Sequence, residues 1–355
     1  MSVKVLCLTQ GPLAAPSSRY RVFQLLPHLK THGLDCVVSP ALDDDTYRHL
    51  YQTTGGSRLA AFAAIRRQRR QDLQRVPDFD VVWIQKGIFP GLSAGIECKI
   101  AARRPVVFDF DDAIWLPRQG GNRVLRLLHR EGTVREILRC ATGVIAGNEF
   151  LADYARQFAG NVTVVPSAVE LARYRRGTGT TVGWIGSRST LPYLRPLSPV
   201  FQQLGITPRV IAAGTPDFPA DFRQWRLETE CDELAQFGIG VAPLPDNPWE
   251  RGKCGVKILQ YMACGLPVVA TPVGVQCDLV RNGVTGFHAT TPAEWRDRLR
   301  QLLADAALRQ RLGAAGRELI AQYYDVSVAA SRVAKVLLAS AQTTGMTGSE
   351  NRKSA

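Results

Sequence analysis

Thr181-Val182-Gly183-Trp184-Ile185-Gly186-Ser187-Arg188-Ser189-Thr190 is a short β-branched and aromatic run that stops at a glycine followed by hydroxyls and a cation. A run of this length bounded by Gly and Ser reads as a buried strand giving way to a turn and a helix. Six comparable runs precede it, at residues 3–8, 36–39, 81–84, 106–108, 143–145 and 162–165, with amphipathic stretches long enough for helices between them. Strands that alternate with helices form a parallel α/β sheet, because parallel neighbours need long crossovers. At residue 181 the pattern starts afresh, and 181–185, 209–212, 238–242 and 268–270 read as strands of a second parallel sheet. The chain has 355 residues. That length suits two domains of roughly 170 residues better than one.

The link between the halves is expected in 171–180, where Arg-Tyr-Arg-Arg-Gly-Thr-Gly-Thr is polar, Gly-rich and without an apolar face. The first domain is then 1–172 and the second 178–325. Beyond Pro292, Leu299, Leu302, Leu303, Leu312 and Leu319 recur at helix-compatible spacing, and the helical pattern holds to about residue 339. A closing helix is expected at 326–342 and a disordered Ser/Thr/Gly-rich tail at 343–355.

With 45% hydrophobic and 21% charged residues, the chain can fill two cores and carries no compositional mark of disorder. Its eight cysteines show no C-x-x-C pair and no Cys/His spacing for zinc, which predicts reduced thiols in a cytoplasmic protein. The apolar run at the N-terminus is too short for a signal segment, and no later run approaches the ~20 residues that cross a bilayer.

The net charge is +13, and residues 1–180 hold 25 Lys and Arg against 16 Asp and Glu. Such a field favours anionic partners. Nucleic acid is not expected, since no finger, RNP-like or helix-turn-helix pattern accompanies the charge. Arg66, Arg67, Arg69 and Arg70 follow Leu59, Phe62 and Ile65, while Arg123, Arg126 and Arg130 alternate with Val124, Leu125, Leu127 and Leu128. These stretches suit either peripheral contact with an anionic membrane or surface helices that pack their leucines inward.

Ligands of open α/β sheets sit beyond the carboxyl ends of the strands, so the loops there hold the candidate residues. Gln10-Gly11-Pro12 follows the first strand, and Ser17-Ser18-Arg19-Tyr20-Arg21 opens the next helix. Backbone N–H groups at Gly11 suit a phosphate or sugar hydroxyl, although a plain tight turn explains the glycine as well. Phe108-Asp109-Phe110-Asp111-Asp112 crowds three carboxylates at one strand end, where they repel unless partnered. Either Asp109 and Asp111 hold a divalent cation, or the cluster is metal-free, with one Asp facing a sugar or acceptor and the others paired with Arg19 or Arg21. Gly186, Ser187 and Arg188 form a plausible diphosphate cradle. Lys253 and Lys257, four residues apart on a helix expected to start near Cys254, share a face whose charge an anion would offset.

Gln260-Tyr261-Met262-Ala263-Cys264-Gly265-Leu266-Pro267-Val268-Val269 resembles the E-A-M-A-x-G-x-P-V-V segment of the family 4 (group 1) retaining glycosyltransferases of the GT-B fold. Ala270-Thr271-Pro272-Val273-Gly274, Asn282-Gly283-Val284-Thr285-Gly286-Phe287, Gly147-Asn148-Glu149-Phe150-Leu151 and Val164-Val165-Pro166-Ser167 resemble other segments of that family. The resemblance implies two Rossmann-like domains with parallel sheets facing across a cleft, the C-terminal helices returning to the first domain. It implies transfer of a sugar from a nucleotide-sugar to a hydroxyl acceptor such as a glycolipid, lipid-linked or polysaccharide intermediate. Cations replace a metal at the diphosphate, so no metal or other cofactor is expected.

The family's E-x7-E pair is absent: Gly252 and Gln260 stand at its positions. By the resemblance, Gln260 takes the ribose, and Lys253, Lys257, Arg188, Ser187, Gly186 and Gly11 bind the donor. Asp111 matches the place of a family histidine near the donor sugar. Asp111, Asp109 and Lys257 are accordingly the expected catalytic residues, with Arg19, Arg21 and Asp112 on the acceptor side. A nucleotide-sugar 2-epimerase and a non-catalytic nucleotide-sugar-binding subunit are the competing readings.

Overall fold

The computed structural model describes residues 2–51, 58–88, 93–117 and 132–350. The basic stretch around Arg123, Arg126 and Arg130 lies outside the described residues. Two compact units divide the chain: unit 1 is Met1–Ser167, Gly252–Cys254 and Val326–Ala355, and unit 2 is Ala168–Arg251 and Gly255–Asp325. The chain thus leaves unit 1 at Ala168, a few residues before the polar segment 171–180.

Unit 1 is built on a parallel six-stranded sheet in the order β2-β1-β3-β4-β5-β6. Its strands are β1 (Val3–Thr9), β2 (Leu34–Pro40), β3 (Val81–Gln85), β4 (Val106–Phe110), β5 (Gly143–Ala146) and β6 (Val162–Val164). Every residue of β3, β4 and β5 is buried. That is why these strands read as unbroken apolar runs: helices cover both faces of a parallel sheet. The helix Val326–Glu350 packs on β3, β4 and β5. Gly143 leaves room for it, since a Cβ there would sit 3.0 Å from the Ser340 hydroxyl. The helix continues past residue 343, into the stretch expected to be a disordered tail.

Unit 2 repeats the plan with the order β12-β11-β10-β7-β8-β9. The strands are β7 (Thr181–Gly186), β8 (Arg209–Ala212), β9 (Asp221–Gln224), β10 (Phe237–Ala242), β11 (Val268–Ala270) and β12 (Gly286–His288). β9 and β12 are additions to the sequence reading. β9, Asp-Phe-Arg-Gln, is half-exposed at one sheet edge and has no apolar run to betray it. Its pairing with β8 through Arg209↔Asp221 is supported by an Arg209–Asp221 ion pair at 2.8 Å. The helix Pro292–Ala304 starts where Thr291 and Glu294 form a reciprocal cap, with Pro292 in its first turn. Leu299, Leu302, Leu312 and Leu319 are buried, as their spacing predicts.

The helix Arg58–Arg75 departs from a simple inward-apolar, outward-basic pattern. Phe62 is 41% exposed, whereas Arg69 is buried, donating to Asp72 at 2.7 Å, to the Thr9 carbonyl at 2.6 Å and to the Ser39 carbonyl at 3.0 Å. Arg69 thus ties this helix to the carboxyl ends of β1 and β2, and its charge is balanced by Asp72. Arg66, Arg67 and Arg70 remain on the exposed face. Among the described residues no helix is long and apolar enough to cross a membrane.

Candidate functional site

The carboxyl ends of β1, β3 and β4 in unit 1 carry a connected set of polar side chains. Gln85, the last residue of β3, donates from Nε2 to the Ser17 hydroxyl at 2.6 Å. Ser17 in turn donates to Asp111, lying 2.8 Å from both carboxylate oxygens. Lys86 Nζ stands 2.9 Å from Asp111 and 2.5 Å from Asp112, and Lys253 Nζ reaches the second oxygen of Asp112 at 3.2 Å. Two ammonium groups and two carboxylates therefore alternate along one chain of contacts.

Lys86 is the residue the sequence reading missed. It is the only non-glycine with positive φ (61°) among the described residues. A left-handed backbone is strained for a lysine, and such outliers cluster at functional sites. Its own N–H is fixed by the Asp109 carbonyl at 2.7 Å, and Gly87 follows with φ 85°. Together these turns swing the ammonium back over the end of β4. No periodicity or motif announces this, because a lysine after a buried strand is normally a solvated charge.

Below this layer Asp109 and Arg21 form a second pair at 2.9 Å, and Arg21 also donates to the Val165 carbonyl at 2.6 Å. Both are almost wholly buried, at 0% and 3% exposure. Burial raises the Asp109 carboxyl above its ordinary range despite the neighbouring Arg21. The expectation that Asp109 and Arg21 face a ligand gives way to a pair closed inside the fold. Arg19 is likewise interior, 2% exposed, with its guanidinium over the Tyr20 ring at 4.8 Å. Gly11 is buried, and its N–H is bonded to the Ser18 hydroxyl at 3.2 Å instead of projecting from the loop. A Cβ at Gly11 would fall 2.5 Å from Ala15, so close packing requires the glycine.

Gly252–Cys254 belongs to this unit. Asn148 caps the helix Glu149–Arg156 by accepting from the Leu151 N–H at 2.9 Å. Its amide nitrogen donates to the carbonyls of Gly252 at 3.0 Å and Lys253 at 3.2 Å. A Cβ at Gly252 would lie 2.8 Å from Ala113, so no glutamate fits where the family pattern has one. The next helix is Val256–Ala263, and Gly255 before it is left-handed at φ 65°. Lys253 is thus outside the helix and does not share a face with Lys257, contrary to the sequence reading, because Gly255 delays the start.

In unit 2 the Val256–Ala263 helix carries Lys257 and Gln260, three residues apart and so on one side. Lys257 Nζ lies 4.3 Å above the ring of the buried Trp184 in β7. Gln260 is 4% exposed, and its amide nitrogen has no hydrogen-bond partner. A buried amide left without a partner costs about 1–3 kcal/mol, which a ligand hydroxyl would recover. Tyr261 locks the helix to the sheet: its hydroxyl accepts from the Ile185 N–H at 2.9 Å and donates to the Val241 carbonyl at 3.3 Å.

After β7, Ser187, Arg188 and Ser189 are exposed. The Ser187 carbonyl accepts from the N–H groups of Thr190 at 3.0 Å and Leu191 at 3.1 Å. The following turns are 3-10, at Leu191–Tyr193 and Arg195–Leu197, and the first α-helix waits until Ser198–Gln203. The expected helix N-terminus at the cradle is therefore a set of tight turns. Gly186 is required there, since a Cβ would meet the Trp184 ring at 2.4 Å.

Residues 199–305 match the glycosyl transferases group 1 family. The structure resembles Anabaena Alr3699/HepE in complex with UDP-glucose, with TM-score 0.70 and 17% identity over 95% of this chain and 100% of that one. It also resembles the sucrose-phosphate synthase of Thermosynechococcus elongatus, with TM-score 0.73 and 15% identity over 94% and 98% of the two chains. The fold is GT-B. Among sequence relatives, a D-inositol 3-phosphate glycosyltransferase of Thermobifida fusca is 30% identical over 141 residues, 38% of this chain and 29% of that protein. A protein of the same description from a Nocardioides species is 35% identical over 89 residues, 24% of this chain and 19% of that protein. The matched stretch spans less than a third of either relative. Within this GT-B chain the group 1 match includes Lys253, Lys257 and Gln260, and lies beyond the Gly186–Arg188 turn.

The electrostatics of unit 1 predict a pH response. Burial alone would raise Asp112, but Lys86 and then Lys253 outweigh it and hold the carboxyl well below its ordinary range. A carboxyl depressed in the folded state stabilises the fold above its unfolded pKa of about 3.9 and loses that contribution as pH falls further. Thermal midpoints measured from about pH 5 downward should therefore fall less steeply for Asp112→Asn than for the native chain. Parallel curves would show that the Lys86–Asp112–Lys253 contact contributes nothing.

Proposed function

We propose that the chain is a retaining glycosyltransferase of family 4, moving a hexose from a nucleoside diphosphate donor to a hydroxyl acceptor. The observation that carries this is the Gln260 amide: buried, unpartnered and one turn from Lys257, inside the stretch that matches the group 1 family. A neutral amide there donates to one ribose hydroxyl and accepts from another. Lys257 and Arg188 carry the diphosphate charge, with Gly186 and Ser187 admitting its oxygens, so the departing nucleotide needs no metal. The relatives described as D-inositol 3-phosphate glycosyltransferases and the UDP-glucose complex of Alr3699/HepE support a nucleotide-sugar donor.

In the reaction the bond between the anomeric carbon and the diphosphate oxygen breaks, the acceptor oxygen bonds to that carbon from the same side, and the acceptor hydroxyl's proton passes to the departing diphosphate oxygen. Preorganised cations stabilise the leaving group, which is where such a site contributes most. Asp111 orients the acceptor hydroxyl, as it now holds the Ser17 hydroxyl, and Lys86 keeps it in place. The pairing of each carboxylate with a cationic side chain favours this role over divalent-cation binding.

The acceptor is a glycolipid or lipid-linked saccharide met at the cytoplasmic side of a membrane. Phe62, Arg66, Arg67 and Arg70 on the outer face of the Arg58–Arg75 helix suit an anionic lipid surface. The native chain should sediment with phosphatidylglycerol vesicles in low salt, and reversing all three arginines to Glu should weaken this by about tenfold or more. Binding indifferent to anionic lipid and to salt would remove membrane contact from the account.

Donor binding is checked by thermal shift with UDP, GDP, ADP and TDP and their common sugars, since preferential binding to the folded chain raises the midpoint. One nucleotide series should shift it clearly, and Gln260→Ala or Lys257→Ala should weaken that nucleotide about tenfold, the equivalent of one lost hydrogen bond. No shift with any nucleotide would overturn the donor site.

A further inference from the structure

Cys98 Sγ lies 2.8 Å from Cys140 Sγ, joining the helices Gly95–Ala101 and Gly132–Cys140 in unit 1. A disulfide closes sulfurs to about 2.0 Å, so less than an ångström separates this pair from bonding. Both thiols are half-buried, within reach of a small oxidant. Cys7, Cys254 and Cys264 are buried and so closed to such an oxidant.

We propose that Cys98 and Cys140 form a reversible dithiol–disulfide site that takes small-molecule disulfides as oxidant and stiffens the turn holding Lys86. The exchange opens at either sulfur of the pair. Where Cys98 opens it, its thiolate displaces one half of the oxidant as a thiol and leaves a mixed disulfide. The Cys140 thiol then loses its proton to solvent and attacks the Cys98 sulfur, expelling the second half. Two protein sulfurs are oxidised, the two oxidant sulfurs are reduced, and two small thiols leave.

The route to Lys86 is short. Glu97, the neighbour of Cys98 on its helix, is fully buried, and its carboxylate accepts the Ile88 N–H at 2.7 Å. Ile88 lies two residues beyond Lys86, past the left-handed pair Lys86-Gly87. Fixing the helix Gly95–Ala101 to its neighbour therefore fixes the acceptor on which that turn hangs.

The test treats the native full chain with graded oxidised glutathione, alkylates the remaining thiols and maps the linked peptides by mass. The expected result is a Cys98–Cys140 link, a thermal midpoint several degrees higher, and slower hydrogen exchange at the Ile88 amide. Reduction with dithiothreitol reverses all three, and neither Cys98→Ser nor Cys140→Ser shows them. A persistent glutathione adduct on either residue, a link between Cys7 and Cys36, or no link overturns the site. A link that leaves Ile88 exchange unchanged overturns its coupling to Lys86.

Discussion

Asp111 and Asp112 are adjacent carboxylates at the end of a buried strand, and neighbouring like charges repel unless a cation stands between them. Lys86 supplies it, touching both. The lysine reaches that point only by adopting a left-handed backbone, which the fold sustains through the Asp109 carbonyl on one side and Gly87 on the other. Much else at this edge of unit 1 follows. Ser17, itself held by the Gln85 amide, donates to Asp111, Lys253 takes the remaining oxygen of Asp112, and Arg21 neutralises Asp109 beneath. The strain at Lys86 accompanies the placing of one ammonium against both carboxylates.

Unit 2 solves a different electrostatic problem. Its polar groups include Gln260, Lys257 and the Ser187–Arg188 turn. Lys257 rests over the Trp184 ring, a contact worth about 0.5–2 kcal/mol. Gln260 keeps a buried amide nitrogen unsatisfied. Gln260 thus retains hydrogen-bonding capacity suited to a hydroxyl-rich ligand.

Both parallel sheets were legible in the sequence because central parallel strands are buried on both faces and must be continuously apolar. β9 and β12 were not, since edge strands are short, and β9 is polar. The helical leucines beyond Pro292 declared themselves by spacing. At the site, residue type was legible and partnership was not: the three aspartates stood out, but nothing in the sequence showed that Arg21 would close over Asp109 or that Lys86 would bend back to Asp111. Lys253 and Lys257 have helical spacing, yet a single left-handed glycine, Gly255, separates them. Gly252 reads as a lost glutamate, and the space around it shows why no side chain stands there.

Transfer itself is the central claim, and proton NMR of the anomeric signals reads it directly, with the bound nucleotide-sugar, a lipid-linked saccharide acceptor, and native or Asp111→Asn protein. The account predicts free nucleoside diphosphate appearing together with a product that keeps the donor's anomeric configuration, at a rate about a hundredfold lower in Asp111→Asn, the scale of losing one preorganised polar contact in a transition state. A sugar isomerised while still on its nucleotide, a product of inverted configuration, or undiminished transfer by the variant would contradict it.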